Sequence, residues 1–423
     1  MLATAGETVR GVDSGQPPEA AGLAAAGVEV HLDADGLALL EGTRTVVKSP
    51  GVPKEAPVIA AARERGLEVL GELELAWRRL PNRFVAVTGT NGKTTTAELI
   101  GHLYRTAGEP VAIAGNVGRP LASLAGEVDA EATVVCESSS FQLEDTVAFA
   151  PECAVFLNLA PDHLDRHAGI EEYLTAKLEI FARQSNDDVA VFNGDDPALS
   201  GRDIGGCGRR VRFCRGAAPD CEVSVSAESV FYDGEPLVEV AELPLRGEHN
   251  VENAMAAAAA ALSMGLSRGA VREGLLSFPG VPHRLEEVAT IGGVTFINDS
   301  KATNVGAATV ALRSFDGGVH AILGGRGKGE DFAPLAPPVA ERCRAVYLIG
   351  EAEDELEKAL APAVNLGVDV VRSGDLDSAV RTAWHAARGG EVVLLSPACA
   401  SFDAFRDFEE RGEAFRRIVG ELG

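Results

Sequence analysis

The fold of this chain is decided by one stretch, Phe84-Val85-Ala86-Val87-Thr88-Gly89-Thr90-Asn91-Gly92-Lys93-Thr94-Thr95-Thr96. A short apolar run of β type leads into a glycine-containing loop, and a helical pattern follows the loop. This order is the context of a phosphate-binding loop, because N–H groups at the helix start and the helix dipole favour an anion. In such a loop Lys93 would reach the terminal phosphates of a nucleoside triphosphate, and the Thr94 hydroxyl would bind Mg²⁺.

The loop is shorter than the usual motif. That motif has a glycine five residues before the glycine of the Gly-Lys pair, and the corresponding residue here is Val87. An ordinary glycine turn into a helix is the alternative interpretation, which the strand–loop–helix context disfavours. The predicted nucleotide contacts lie in the loop and the first helical turn: Gly89, Thr90, Asn91, Gly92, Lys93, Thr94 and Thr95.

Charge and composition exclude several classes of protein. The 423 residues include 38 basic and 63 acidic side chains, for a net charge of −25, whereas a nucleic-acid binder needs clustered Lys and Arg. No apolar run approaches the ~18 residues of a membrane span. The first residues also lack the basic and apolar regions of a signal peptide. We therefore expect a cytoplasmic protein that binds neither nucleic acid nor membrane.

The seven cysteines are an odd number without paired spacing, which predicts reduced thiols. Cys207, Cys214 and Cys221 recur every seven residues, so a zinc site stays open as an alternative. No Cys-x-x-Cys pair supports that alternative.

Alternating β-type and helical segments predict an α/β protein with three domains. Residues 83–281 form a central ATP-binding, P-loop-type domain with a mostly parallel sheet, and a hairpin signal at 222–246 predicts a small antiparallel insertion. Residues 282–423 predict a C-terminal Rossmann-like domain, whose ligands belong at the carboxyl ends of its strands. Residues 1–82 form a poorer N-terminal α/β block. The predicted strands include 84–87, 111–114, 133–136, 154–157, 189–192, 295–297, 321–323, 345–349, 368–371 and 392–395.

Several polar groups follow predicted strands, where chemistry is expected in such sheets. Glu137 suits Mg²⁺ or a water-positioning base, and a solvated strand-end glutamate is the alternative. His163 follows the next strand beside two aspartates, a set that suits a metal. Asp299 and Lys301 follow the first strand of the last block. Lys177 lies within a predicted helix, and its local sequence alone predicts a surface lysine.

These segments together resemble the Mur ligase family, the ATP-dependent amide-forming enzymes of peptidoglycan synthesis. The match covers nearly the whole chain, and the loop Gly89 to Thr95 resembles the family's own phosphate loop, which explains Val87. The most specific segment is 396–415, which begins Ser396-Pro397-Ala398-Cys399-Ala400-Ser401-Phe402-Asp403 and resembles the D-glutamate-binding end of one branch. Three further segments agree: Gly115-Asn116-Val117-Gly118, Glu137-Ser138-Ser139-Ser140-Phe141-Gln142-Leu143 and Asn298-Asp299-Ser300-Lys301-Ala302-Thr303-Asn304.

The resemblance implies a role for each matching residue. The implied catalytic residues are Lys93, Glu137, His163, Lys177 and Lys301. Two Mg²⁺ ions would be bound by Thr94, Glu137, His163 and Lys177, with Lys177 as the lysine that the family carbamylates. ATP would also meet Asn250, Asn253, Arg284 and Asp299. The implied substrate contacts are Asp13 and Ser49 for uridine, Asn116 for the muramoyl group, and Thr303, Lys328, Ser401 and Phe408 for D-glutamate.

The resemblance also implies a reaction. ATP would phosphorylate the carboxylate of UDP-N-acetylmuramoyl-L-alanine to an acyl phosphate, and the amine of D-glutamate would then attack it. The expected state is a monomer. Family members open with a further strand and helix, whereas this chain begins almost at the second strand, near residues 8–12. We therefore expect an N-terminal Rossmann-like domain that lacks its first strand and helix and binds the UDP group weakly.

Three alternatives stay open at this point. The first is another ligase of the superfamily, such as a diaminopimelate- or lysine-adding enzyme or a folylpolyglutamate synthase, which the segment 396–415 disfavours. The second is a plain P-loop kinase or NTPase, which would leave residues 281–423 without a role. The third is a catalytically inactive binding protein, which the set of Lys93, Glu137, His163 and Lys177 disfavours.

Overall fold

The computed structural model describes residues 1–17, 20–162, 166–216, 221–226, 228–245, 247–327 and 329–422. The chain divides into two compact units, Met1–Phe278 and Pro279–Gly423. The second unit therefore begins close to the predicted boundary at residue 282. A separate domain of residues 1–82 stays a prediction.

The first unit alternates strands and helices over most of its length. Its strands are β1 (Arg10–Val12), β2 (Glu29–His31), β3 (Thr45–Lys48), β4 (Glu68–Gly71), β5 (Phe84–Thr88), β6 (Val111–Gly115), β7 (Thr133–Glu137), β8 (Cys153–Phe156), β9 (Val189–Asn193), β10 (Arg209–Cys214), β11 (Val223–Ser226), β12 (Ser229–Tyr232) and β13 (Glu235–Glu239). Its helices are α1 (Ala20–Ala25), α2 (Pro57–Glu64), α3 (Glu72–Arg79), α4 (Lys93–Thr106), α5 (Ser140–Leu143), α6 (Ile170–Leu178), α7 (Glu248–Ser263) and α8 (Arg268–Ser277).

A nine-stranded sheet in the order β13-β12-β11-β10-β9-β8-β5-β7-β6 forms the centre of this unit. Strand β5 is buried along its whole length and pairs in parallel with β7 on one side and β8 on the other. From β5 the chain passes through α4 to the edge strand β6, returns to β7 and then crosses to β8. The loops after β5, β7 and β8 therefore meet at one edge of the sheet, which is where ligands bind in such folds.

The first block of the chain packs against this sheet. Strands β1 and β2 form one two-stranded parallel sheet, and β3 and β4 form another. Helix α3 contributes Leu73 and Ala76 to the core beneath β5. The buried Glu74 carboxylate of the same helix accepts the N–H groups of Val147, Ala148 and Phe149 at 3.0–3.1 Å. Helix α3 is thus fixed to the central sheet by apolar contacts and by hydrogen bonds.

The second unit is a six-stranded sheet with helices on its faces. Its strands are β14 (Glu286–Ile291), β15 (Val294–Asn298), β16 (Val319–Gly324), β17 (Cys343–Ile349), β18 (Asp369–Gly374) and β19 (Val392–Leu395), in the order β14-β15-β19-β16-β17-β18. Its helices are α9 (Val305–Arg313), α10 (Ala336–Arg342), α11 (Glu353–Ala359), α12 (Ala361–Val364), α13 (Leu376–Ala386) and α14 (Phe408–Gly420). Successive strand residues point to opposite faces, so Ala321 and Leu323 enter one core and Ile322 enters the other.

The structure differs from the sequence-based expectations in three places. Strands β11, β12 and β13 form successive antiparallel pairs and extend the edge of the large sheet. They join it through β10, which pairs in parallel with both β9 and β11. Strand β14 is antiparallel to β15 and was not predicted. Cys214 and Cys221 are joined as a disulfide, against the expectation of reduced thiols.

Among the described residues, no helix is long and apolar enough to cross a membrane.

Candidate active site

The predicted phosphate loop, Gly89 to Gly92, connects β5 to α4. Gly92 immediately precedes the helix with a φ of 86°, in the left-handed region that favours glycine. A Cβ at this position would overlap the side-chain oxygen of Asn253. Conformation and space therefore both require a glycine here. Thr94 and Thr95 lie in the first turn of α4, as predicted.

Two lysine side chains converge on this loop. Lys93 Nζ donates to the carbonyl oxygens of Gly89 and Thr90, both at 2.9 Å. Lys177 Nζ, from α6, donates to the same Gly89 oxygen at 2.8 Å. Basic groups at the start of a helix form a suitable environment for a polyphosphate.

Glu137 lies at the end of β7 and is buried. One of its carboxylate oxygens accepts the Thr94 hydroxyl at 2.7 Å, and the other accepts the Asn116 side-chain N–H at 3.2 Å. Three predicted site residues, one from the first turn of α4, one after β6 and one at the end of β7, are thus brought together.

The donor set at Glu137 fits a magnesium ion. Carboxylate and hydroxyl oxygens are ligands that Mg²⁺ prefers, and it usually completes its shell with water and substrate phosphates. Within the described ranges, no group of three or more His, Cys, Asp or Glu side chains is arranged to hold a metal ion alone. This also leaves the zinc alternative at the cysteines without support in the described part of the chain.

Lys177 is not the surface lysine that its local sequence suggests, since only 1% of the residue is exposed. Its Nζ lies 4.5 Å from the centre of the Tyr173 ring. Burial and the charge of Lys93 hold the pKa of Lys177 well below its usual range, although Asp162 and Glu137 act in the opposite direction. A larger fraction of this amine is therefore neutral than in an exposed lysine.

The histidines near α6 differ in what the structure describes. His163 lies outside the described residues, so its predicted metal role stays a prediction. His167 is buried, and its Nε2 lies 3.0 Å from the Ser140 hydroxyl. Its ring stacks on Phe141 and contacts Tyr173, each at 5.3 Å between ring centres. His167 therefore packs against the ring on which Lys177 rests.

The two asparagines predicted for the adenine side lie on α7. Asn253 Oδ1 accepts the Thr96 hydroxyl at 3.3 Å, and Asn253 Nδ2 donates to Asn250 Oδ1 at 3.0 Å. Both residues are buried. They thus connect α7 to α4 directly behind the phosphate loop.

The two residues predicted to contact uridine lie at the ends of separate small sheets. Asp13 follows β1, and its carboxylate accepts the N–H of Gly15 at 2.8 Å. Ser49 follows β3 and is exposed.

In the second unit, Asp299 follows β15 and is buried. Its carboxylate accepts the Ser396 hydroxyl at 2.8 Å and the N–H of Leu285 at 3.2 Å. Burial raises the pKa of Asp299 to about 7, although the hydroxyl, the charge of Arg284 and the N–H act in the opposite direction. Arg284 and Asp299 are therefore electrostatic neighbours.

Phe408, one of the residues predicted for D-glutamate, is the first residue of α14. Lys301 Nζ lies 5.6 Å from the centre of the Phe408 ring. Ser401 is buried in the loop after β19, and Thr303 lies just before α9. Lys328 lies outside the described residues, so its predicted role stays a prediction.

Two residues to which the sequence analysis assigned no role emerge from the structure. Tyr173 supports Lys177, as described above. Arg411, on α14, is 1% exposed and donates to Ser300 Oγ and O at 2.9 Å and to Cys399 O at 3.1 Å. A sequence signal for Arg411 exists: it lies on the apolar stripe of α14, between Phe408 and Phe415. An arginine at such a buried position needs hydrogen-bond partners.

The fold and this site define an α/β protein with a candidate nucleotide site at a phosphate loop, and comparison with known proteins identifies the family. Residues 87–261 match the Mur ligase middle domain, and residues 283–399 match the glutamate ligase domain of the Mur ligases. The chain belongs to the Mur ligase family and is accordingly an ATP-dependent ligase of peptidoglycan synthesis.

The curated relatives carry a more particular name. The UDP-N-acetylmuramoylalanine–D-glutamate ligase of Acidobacterium capsulatum is 43% identical over 399 residues, which cover 93% of this chain and 86% of the relative. The ligase of the same name from Solibacter usitatus is 40% identical over 422 residues and covers 100% of this chain and 94% of the relative.

Solved structures share the fold. The UDP-N-acetylmuramate-alanine ligase of Thermotoga maritima has a TM-score of 0.64 at 20% identity. The matched region covers 99% of this chain and 95% of the Thermotoga chain. A pseudomurein peptide ligase from Methanothermus fervidus has a TM-score of 0.59 at 20% identity and covers 100% of this chain and 96% of its own.

Proposed function

We propose that this chain joins D-glutamate to UDP-N-acetylmuramoyl-L-alanine at the expense of ATP. The observation that carries the proposal is the convergence of Lys93, Thr94, Glu137 and Lys177 on one edge of the sheet in a chain whose relatives bear that name. Those relatives are similar over nearly the whole chain.

The chemistry explains why a phosphate loop belongs in an amide-forming enzyme. A carboxylate is a poor electrophile, and transfer of the γ-phosphoryl group of ATP to one of its oxygens gives an acyl phosphate. The amine of D-glutamate then attacks the carbonyl carbon, and inorganic phosphate leaves with that oxygen. Lys93 and the first N–H groups of α4 would hold the phosphates and neutralise the charge that develops during transfer.

Thr94 and Glu137 would hold the Mg²⁺ that accompanies ATP, and His163 is proposed as a further ligand of a second ion. The ion supplies charge neutralisation between the phosphates when it is bound. The Thr94 hydroxyl donates to the Glu137 carboxylate at 2.7 Å, so these two side chains lie next to each other.

Lys177 is proposed to carry a carbamate. Only a neutral amine attacks carbon dioxide, and the burial of Lys177 beside Lys93 favours the neutral form. The modification would replace a cationic group with an anionic one close to Glu137, where an additional oxygen ligand for Mg²⁺ is useful. Activity of the wild type should fall in carbon dioxide-free buffer and recover with bicarbonate. If activity in carbon dioxide-free buffer recovers without added bicarbonate, the result would contradict a carbamate on Lys177.

D-Glutamate carries two carboxylates, which require cations and hydroxyl donors. We propose that Thr303, Lys328, Ser401 and Phe408 form its pocket and that Lys301 lies near the reacting centre. Arg284 and Asp299 are proposed to contact ATP, with Asn250 and Asn253 on its adenine side.

Asn116 is proposed to contact the muramoyl group, and Asp13 and Ser49 are proposed to contact uridine. We further propose a monomer in the cytoplasm, where ATP is available, because one chain carries residues for every substrate. Size-exclusion chromatography with light scattering tests the monomer, and a dimer mass would contradict it.

The test of the activity is phosphate release from Mg-ATP with UDP-N-acetylmuramoyl-L-alanine and a panel of amines. We expect release with D-glutamate and none with L-glutamate, L-lysine or diaminopimelate. Release with diaminopimelate or L-lysine alone would assign the chain to another Mur-type reaction. Release without any amine would indicate a plain NTPase.

A further inference from the structure

The loop that follows β8 holds the tip of the phosphate loop. Asn91 N–H donates to the side-chain oxygen of Asn158 at 2.9 Å, and Asn158 Nδ2 donates to the carbonyl oxygen of Asn91 at 3.1 Å. The carbonyl oxygen of Asn158 accepts the N–H of Thr90 at 2.9 Å. One asparagine therefore binds two successive residues of the loop, through both its side chain and its main chain.

The segment that carries Asn158 is itself well anchored. Leu157 N–H donates to the Thr88 carbonyl at 3.0 Å, and Leu159 N–H donates to the Asp196 carboxylate at 2.7 Å. The Thr90 hydroxyl accepts the N–H of Ala160 at 2.9 Å and donates to the Ala160 carbonyl at 3.1 Å. Asn158 is thus a fixed point from which the phosphate loop is positioned.

These contacts decide which N–H groups can face an anion. In a longer phosphate loop the loop amides surround the phosphates. Here the N–H groups of Thr90 and Asn91 are directed at Asn158. The N–H groups in the first turn of α4 point towards the N-terminal end of the helix, where an anion would bind. Their direction depends on the path of the residues before them.

We propose that Asn158 is a positioning residue of the nucleotide site. Its side-chain hydrogen bonds fix the conformation of this short phosphate loop, whereas the usual, longer phosphate loop is fixed by its own residues. Asn158 acts on the nucleotide through Asn91 and Thr90 and donates no group to the phosphates. The proposal rests on the nucleotide site proposed above.

The test compares Asn158→Ala with the matched control Asn186→Ala. Asn186 is an exposed asparagine in the turn before β9 of the same unit. Isothermal titration calorimetry with Mg-ADP gives the Kd, and steady-state assays give the KM of each substrate. Loss of two hydrogen bonds that position the loop should raise the Kd for Mg-ADP and the KM for ATP about tenfold.

A purely structural role predicts a different pattern. It would lower Tm and the active fraction without a selective change in the KM for ATP. We expect instead a small change in Tm, an unchanged KM for D-glutamate and the UDP substrate, and a selective increase for ATP. Amide hydrogen exchange should also become faster at Asn91 in Asn158→Ala and stay unchanged in Asn186→Ala.

The outcomes separate the two proposals. Failure of the wild type to bind Mg-ADP would overturn the nucleotide site. Binding by the wild type with an equal Kd for a folded Asn158→Ala would overturn the role of Asn158 alone. If Asn158→Ala does not fold, Asn158→Ser, which retains a polar group of smaller reach, is judged by the same two measurements.

Discussion

Single residues give this site its charge pattern. The oxygen of Gly89 accepts hydrogen bonds from the nitrogens of both Lys93 and Lys177. A nucleotide would compete for Lys93, whereas the buried Lys177 remains close to Glu137. The two lysines therefore have similar neighbours and different chemistry, because Lys93 can reach a ligand and Lys177 is held under the loop.

Gly92 allows a residue-scale test of the loop. A Cβ in Gly92→Ala would overlap Asn253 and would also strain a residue with φ of 86°. We expect the KM for ATP to rise about tenfold or more, because small displacements of a positioning loop are costly. Gly108→Ala is the matched control, since Gly108 has a φ of 76° at the other end of α4 with nothing within 4 Å of its Cβ. An equal effect of both variants on the KM for ATP would contradict this account.

Asp299 should make stability depend on pH. Its folded pKa of about 7 lies above the ordinary value of 3.8, so between these values the folded chain keeps a proton that the unfolded chain has released. The stability that Asp299 contributes is present at about pH 4 and is lost as the pH rises to about 7, by at most about 4 kcal/mol. Denaturant unfolding of the wild type and Asp299→Asn should show this difference across that range. A difference that does not change with pH would contradict the shifted pKa.

At the residue scale, the sequence indicated candidate site residues where a local pattern carries the chemistry, and their roles stay predictions. Spacing alone brought out Lys93 and Thr94 in the phosphate loop, and strand-end position brought out Glu137. Lys177 was misread as a surface residue, because its burial results from the packing of α6 beneath the end of β5, which a local pattern does not record. The resemblance to the family supplied its role instead.

At the scale of elements, α14 organises the end of the second unit. Arg411 joins it to the loop after β15 through Ser300 and to the loop after β19 through Cys399 and Ala400. Ser300 Oγ in turn donates to the carbonyl of Phe408 at 2.8 Å. These bonds hold the segments that carry Lys301, Ser401 and Phe408.

Arg411→Met should therefore disturb amino acid binding. Removal of the guanidinium leaves buried carbonyl groups unpaired, and we expect a loss of about 3 kcal/mol in the free energy of unfolding. The KM for D-glutamate should rise while the KM for the UDP substrate stays unchanged. Arg417→Met, at an exposed position of the same helix, is the control. An unchanged KM for D-glutamate in folded Arg411→Met would argue against this role.

Strands were predictable from sequence where their apolar runs are not interrupted by charged residues. The strands at 84–87, 133–136 and 392–395 agree with β5, β7 and β19 to within a residue at each end. Strands β10 and β14 were missed because Arg209–Cys214 contains three arginines and Glu286–Ile291 begins with two glutamates. Both are stabilised by pairing with a neighbouring strand, which local propensity does not reveal.

The whole molecule carries a net charge of −25. Such an excess destabilises a compact state through self-repulsion, and salt screens it. We expect Tm at neutral pH to rise as NaCl increases from about 0.01 M to about 0.5 M, over which the screening length falls severalfold. The control is the same titration near the pI of about 4.7, where the effect should be small. A Tm that is independent of salt at neutral pH would contradict the role of self-repulsion.

The α/β architecture followed from alternating patterns over the whole chain. The sequence patterns did not reveal that β11, β12 and β13 continue the large sheet, because that continuation depends on the pairing of β11 with β10, a strand that the patterns missed. The particular reaction also needed the relatives, since a phosphate loop is shared by enzymes of many classes.

The most direct test of the proposed reaction follows the fate of one oxygen atom. UDP-N-acetylmuramoyl-L-alanine labelled with ¹⁸O in the carboxylate is incubated with Mg-ATP and D-glutamate, and the inorganic phosphate is analysed by mass spectrometry. The account predicts one ¹⁸O atom in each phosphate released, because the acyl phosphate passes its carboxylate oxygen to the leaving group. Phosphate without the label would contradict the acyl-phosphate route and would indicate hydrolysis of ATP by water.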